Sequence, residues 1–113
     1  MSLTVERRGD IAVVAVSGDL DASSSPTVRT ELEHLLGEGF QNFVVDLSDV
    51  AFVDSSGLAT LVHVFKRVRI GNGDVRLAAL QPPVSQLFAL TRLDKVFELF
   101  PERPMALASF NGD

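Results

Sequence analysis

Val45-Asp46-Leu47-Ser48-Asp49-Val50-Ala51-Phe52-Val53-Asp54-Ser55-Ser56-Gly57-Leu58 is the stretch on which the fold turns. It opens inside a short apolar run, Phe43 to Leu47, which reads as a buried strand. It then crosses a connection, Ser48 to Val53, and enters a helix predicted over Ser55 to Ile70. The helical spacing puts Leu58, Leu61, Val62 and Phe65 on the apolar face, with Thr60, His63, Lys66 and Arg67 off it. Gly71-Asn72-Gly73 stops that helix. A strand that runs directly into a helix is half of a crossover unit, and the flanking sequence supplies the rest.

Upstream, Leu3 and Val5 alternate with polar neighbours, Gly9-Asp10 makes a turn, and Ile11 to Val16 is a nearly continuous apolar strand. Gly18-Asp19-Leu20-Asp21 leaves the sheet. Ser23, Ser24 and Ser25 precede Pro26, which predicts Ser25 as N-cap and Pro26 as the first helical residue. Val28, Leu32, Leu35 and Leu36 follow at helical spacing until Gly37 and Gly39. Downstream, Val75 to Leu80 reads as a strand, and Pro82-Pro83 opens a helix with Val84, Leu87 and Phe88 on one face. Lys95 to Leu99 reads as the last strand, and Pro101 and Pro104 bracket the start of a short terminal helix. The order implies an α/β fold in one domain over residues 1–113: a mostly parallel sheet of about five strands with an antiparallel N-terminal edge. Helices with a single apolar stripe pack mainly on one face, and the other face need not be covered.

Composition narrows the function. The 113 residues are 46% hydrophobic, enough for a modest core without staples, and no Cys is present for disulfides or thiolate metal sites. No apolar run reaches the roughly 20 residues of a membrane span, and the N-terminus lacks the order of a signal peptide. The expectation is a cytoplasmic protein with no membrane insertion. A net charge of −5 repels a phosphate backbone, so direct nucleic-acid binding is disfavoured. Lys66, Arg67 and Arg69 read as a solvated helix end whose cations complement the helix dipole.

One segment stands apart from this surface chemistry. Asp54, Ser55 and Ser56 place a carboxylate and two hydroxyls where a turn feeds a helix N-terminus, whose first N–H groups lack internal partners. Capping by Asp54 or Ser55 explains them, and so does a site for a covalently attached phosphate. Gly57 in the first helical turn costs about 1 kcal/mol relative to Ala, which points to close approach of another backbone or of a partner there.

The run from Asp46 to Leu58 resembles the signature of the STAS domain in the branch of anti-anti-sigma factors, Asp-Leu-x-x-Val-x-Phe-(Leu/Met/Val)-Asp-Ser-(Ser/Thr)-Gly-Leu. Gly18-Asp19-Leu20-Asp21 is similar to the family's Gly-Glu-Leu-Asp turn, and the likeness extends over essentially the whole chain. The resemblance implies a STAS fold and a protein–protein switch. The unmodified protein would bind an anti-sigma factor that is also a serine kinase, and so release a sigma factor. Phosphorylation of Ser55, with Ser56 as the minor alternative, would abolish binding, and a metal-dependent serine phosphatase would reverse it. Asp21, Asp54, Ser55, Ser56 and Gly57 would form the partner-binding surface, with Asp21 near the phosphoserine and Asp54 shaping the turn.

No catalytic residue, cofactor or metal site is expected. His34 and His63 read as surface or boundary residues, and no G-x-S-x-G, Walker loop or G-x-G-x-x-G occurs. The Phe residues read mostly as core, with Phe110 the one weighed as an exposed partner contact. Two other readings stay open: a STAS scaffold or accessory subunit (stressosome-like or transporter-associated) insensitive to Ser55→Ala, and a small enzyme or ligand carrier using the turn as an anion site.

Overall fold

Five strands line up in chain order, β1 (Ser2–Arg8), β2 (Ile11–Ser17), β3 (Asn42–Asp49), β4 (Asp74–Ala78) and β5 (Glu98–Phe100). The structure is a computed structural model and describes residues 1–111. β1 pairs antiparallel with β2 through the Gly9-Asp10 hairpin, and every later pairing is parallel. Between the parallel strands lie α1 (Ser25–Gly37), α2 (Ser55–Ile70) and α3 (Pro82–Leu90). Strands that follow one another in order with right-handed crossovers must carry those helices on a single face. A short 3₁₀ turn, Leu93–Lys95, precedes β5, and α4 (Arg103–Ser109) closes the described chain.

The pleat sorts the core. Val14, Val16, Phe43, Val45, Leu47, Val75 and Leu77 point toward α1, α2 and α3 and meet Val28, Leu32, Leu61, Val64 and Phe88. Their neighbours Ile11, Val13, Val44 and Ala78 point the other way, onto Ala106 of α4. The second face is therefore partly covered, by one helix pinned at both ends. At its start, Arg103 Nε donates to Asp46 at 2.9 Å; at its end, Arg76 donates to Ser109 Oγ at 2.6 Å. Arg76 also lies 4.0 Å over the Phe110 ring. Burial alone would raise the pKa of Asp46, but the Ser48 N–H and the Arg103 guanidinium outweigh it and hold the carboxyl below its ordinary value.

Several sequence expectations are corrected. The N-cap of α1 is Ser24, and Pro26 occupies the second helical position. The buried stripe of α2 is rotated from the expected one: Gly57, Thr60, Leu61, Val64 and Val68 are buried, while Leu58, Val62 and Phe65 only pack at its margin. The cause is that α2 packs on both the sheet and α1, so the stripe widens toward α1 and takes in Thr60. The chain from Lys95 to Phe97 is the end of the 3₁₀ turn and its exit; only Glu98–Phe100 pairs as a strand. Likewise β4 ends at Ala78, because Ala79 adopts a left-handed φ of 62°. Phe52 is 52% exposed, unlike the core Phe43 and Phe88. Phe110 lies half-buried beneath Arg76.

Candidate functional site

β2 and β3 do not part where the sheet stops. Gly18 N–H donates to Asp49 O at 3.1 Å, Leu20 N–H to Phe52 O at 2.9 Å, and Asp54 N–H to Leu20 O at 3.1 Å. Leu20 and Val53 form a parallel bridge, and both side chains are buried. The two turns that lead into α1 and α2 are thus one hydrogen-bonded unit.

Asp54 adopts an extended backbone, φ −103° and ψ −174°, as an N-cap requires. One carboxylate oxygen accepts from Gly57 N–H at 3.0 Å, and the other accepts from Ala22 N–H at 3.2 Å in the neighbouring turn. Of the two capping candidates, Asp54 is therefore the cap. Gly57 fits because it lacks a side chain: a Cβ there would stand 2.4 Å from the Leu20 carbonyl oxygen. The close backbone approach anticipated from its position in the first turn is made by Leu20.

Asp21 spends its carboxylate locally. It accepts from the Ser23 hydroxyl at 2.8 Å and from the Ser23 and Ser24 N–H groups at 3.0 and 3.1 Å. These bonds, the Ser23 hydroxyl foremost, hold the Asp21 carboxyl below its ordinary value. Ser24 Oγ accepts from Asp21 N–H at 3.0 Å and donates to Asp19 O at 2.7 Å, which locks the turn.

Ser55 stands at the first helical position, exposed, with Ser56 half-buried and Gly57 buried behind it. Among the described residues, neither the Ser55 hydroxyl nor the N–H groups of Ser55 and Ser56 have a hydrogen-bond partner. Among the described residues no histidine or carboxylate is hydrogen-bonded to Ser55 to draw off its proton, so the hydroxyl is presented rather than activated. Asp21, Asp54, Ser55, Ser56 and Gly57 are all brought together, linked through Ala22 and Leu20. Among the described residues no group of His, Asp or Glu could hold a metal ion, and no helix is long and apolar enough to cross a membrane. His34 and His63 lie elsewhere, each against a glutamate: Glu38 and Glu33 respectively, both at 3.2 Å.

Phe52, whose carbonyl joins the two turns and whose side chain is exposed, is the neighbour of the site that sequence reasoning missed. Val53 points inward through its bridge to Leu20, and in extended chain the neighbour of an inward residue points out. Period-two reading of the connection, rather than residue type, would have found it.

The STAS domain family model matches residues 2–106. The chain is 33% identical over 95 residues to the anti-sigma-B factor antagonist of Listeria monocytogenes, covering 83% of this chain and 82% of that protein. Among solved structures, an anti-sigma factor antagonist from Mycobacterium paratuberculosis superposes with a TM-score of 0.88 at 29% identity, over 96% of this chain and 92% of that one. The Bacillus cell fate determinant SpoIIAA in its phosphorylated form shares the fold, with a TM-score of 0.77 at 16% identity, over 96% and 99% of the two chains.

Proposed function

Because the chain belongs to the STAS domain family, we propose that it is an anti-sigma factor antagonist acting in the cytoplasm as a single domain, switched by phosphorylation of Ser55. The unmodified form binds an anti-sigma factor with serine kinase activity and so frees a sigma factor; a serine phosphatase resets it. The observation that carries this reading is the exposed, unengaged Ser55 hydroxyl at the start of α2, fixed to the Asp21 turn by the Asp54 carboxylate.

A phosphoserine brings about −1.5 to −2 charges at neutral pH. The free N–H groups and the helix dipole favour it within the molecule. Toward a partner the balance reverses, because Asp19, Asp21 and Asp54 already crowd the two turns with negative charge. A loss of about 2–4 kcal/mol at the interface would weaken binding roughly 30- to 1,000-fold, with no rearrangement of the fold.

The test is the intact mass of the protein isolated from its own cells, before and after phosphatase treatment, beside Ser55→Ala. One phosphate that disappears in the variant is the expected result. A phosphate retained in Ser55→Ala moves the acceptor to Ser56 or elsewhere. None under growth, stress and stationary conditions rejects the switch in favour of the scaffold or accessory-subunit reading.

A further inference from the structure

Ten lysines and arginines are present in the chain. Arg7, Arg8, Arg29, Arg67, Arg76 and Arg103 each pair with a carboxylate. Lys66, Arg69, Arg92 and Lys95 pair with none among the described residues, and all four are exposed. They share one end of the molecule. α2 runs from Ser55 to Ile70, and α3 starts beside β3, where Gln81 donates to Ser48 O at 2.8 Å, so both helices end at the pole away from Ser55. There Phe97 joins the elements: its ring centroid is 4.9 Å from Phe65 of α2 and 6.0 Å from Phe88 of α3. Arg69 follows Phe65 by one turn on the same face of α2, and Arg92 and Lys95 flank the 3₁₀ turn that leads into Phe97.

The same pole carries the most exposed large aliphatic side chains, Ile70 and Leu90, each 82% exposed, together with Val96 at 45%. Helix-dipole complementation accounts for a cation at the end of α2, but not for Arg92, Lys95 or the aliphatic residues. Arg92 also holds a left-handed φ of 62°, a position that Gly or Asn fills more easily. Asp74 and Asp94 fall among the four cations along the chain, Asp74 already paired with Arg76, and Glu98 follows Lys95.

We infer that this pole is a peripheral docking surface for an anionic lipid bilayer. Charge complementarity sets the sign of the partner, since four unpaired cations are segregated on a chain of net charge −5. Aliphatic side chains standing clear of the surface among lysines and arginines are the composition of an interfacial contact. They demand no matching pocket, as a rigid protein partner would have to supply. The acidic remainder of the molecule is repelled at long range, so attachment is short-ranged and salt-sensitive. With this pole on a bilayer, Ser55 stands about 24 Å away along α2 and remains open to a partner.

The test is co-sedimentation of the full chain with vesicles of phosphatidylglycerol mixed with phosphatidylcholine, against phosphatidylcholine alone, at low and physiological salt. Binding to the mixed vesicles only, weakened by salt, is expected. Lys66→Glu with Arg69→Glu should reduce it by about tenfold or more. Ile70→Ser with Leu90→Ser, and separately Arg92→Gln with Lys95→Gln, should each reduce it severalfold while leaving thermal unfolding unchanged, because these side chains are solvent-exposed. Equal binding to both vesicles, no binding to either, or binding undiminished in all three double variants overturns the inference. So does capture by heparin without capture by vesicles, which would mark a polyanion site.

Discussion

The two junctions that carry the chain out of the sheet stand side by side and are built on different principles. From β2 into α1, the side chains satisfy their own turn: Asp21 accepts from Ser23 and Ser24, Ser24 Oγ bonds to Asp19 and Asp21, and only backbone groups of Gly18, Leu20 and Ala22 reach the neighbouring turn. From β3 into α2, the turn reaches outward. Asp54 divides its carboxylate between its own helix and Ala22, and Gly57 lets the Leu20 carbonyl lie almost against the helix. The side chains of the first junction close on their own turn. The second holds the pair together and leaves the Ser55 hydroxyl without a partner among the described residues.

Gly57→Ala breaks the contrast most severely. A helix gains about 1 kcal/mol from Gly→Ala, but the new methyl meets the Leu20 carbonyl oxygen at 2.4 Å and Leu20 Cγ at 2.8 Å. Backbone cannot yield as a flexible side chain does, so the two turns must separate. A net loss of about 1–3 kcal/mol is expected in urea unfolding, with Ala22 and Leu20 amides gaining fast hydrogen exchange. A variant that is stabilised instead would mean that the junctions are not packed against each other.

Asp54→Ala should come next. It removes the cap of α2 and the bond to Ala22 together, and a loss of about 1–2 kcal/mol is expected. Asp54→Asn keeps an acceptor for one N–H and should recover part of that loss. If Asp54→Ala were to leave Ala22 as protected from exchange as before, the carboxylate would be a cap only and the stitching would rest on the Leu20–Val53 bridge.

Most of this architecture was legible because it is written in periodicity and punctuation. Proline pairs, glycine turns and apolar runs located nine of the ten elements among the described residues, and the missing one is the 3₁₀ turn Leu93–Lys95, whose three residues are too few to show a period. The mostly parallel sheet with its antiparallel N-terminal edge also followed from the sequence, since alternation with helices leaves few topologies. What stayed hidden depends on which element packs against which. Thr60 was placed off the apolar face, yet it is buried, because α2 meets α1 as well as the sheet. Phe52 falls among the Phe residues whose pattern reads mostly as core, yet its neighbour Val53 takes the inward position. At the site, position marks Asp54 and Ser55 as capping candidates and only the family resemblance names them with Gly57 as partner-binding residues; three dimensions are needed to show that Asp54 reaches Ala22 and that Leu20 fills the space above Gly57.

The smallest effect tests the closed junction at its weak point. Ser25, the expected cap of α1, is instead its first helical residue; the side chain is buried, and its hydroxyl has no partner among the described residues. A buried hydroxyl without a hydrogen bond opposes folding, and the capping role it might have filled belongs to the Asp21–Ser24 turn. Ser25→Ala should therefore leave stability unchanged or raise it by up to about 1 kcal/mol, seen as a small upward shift in Tm. The neighbouring Ser24→Ala makes the control, because that hydroxyl holds both Asp19 and Asp21 and its removal should destabilise by about 1 kcal/mol. A loss of stability in Ser25→Ala as large as in Ser24→Ala would show that the first junction, too, depends on a bond beyond its own turn, and the distinction between the self-contained mount and the shared one would fall.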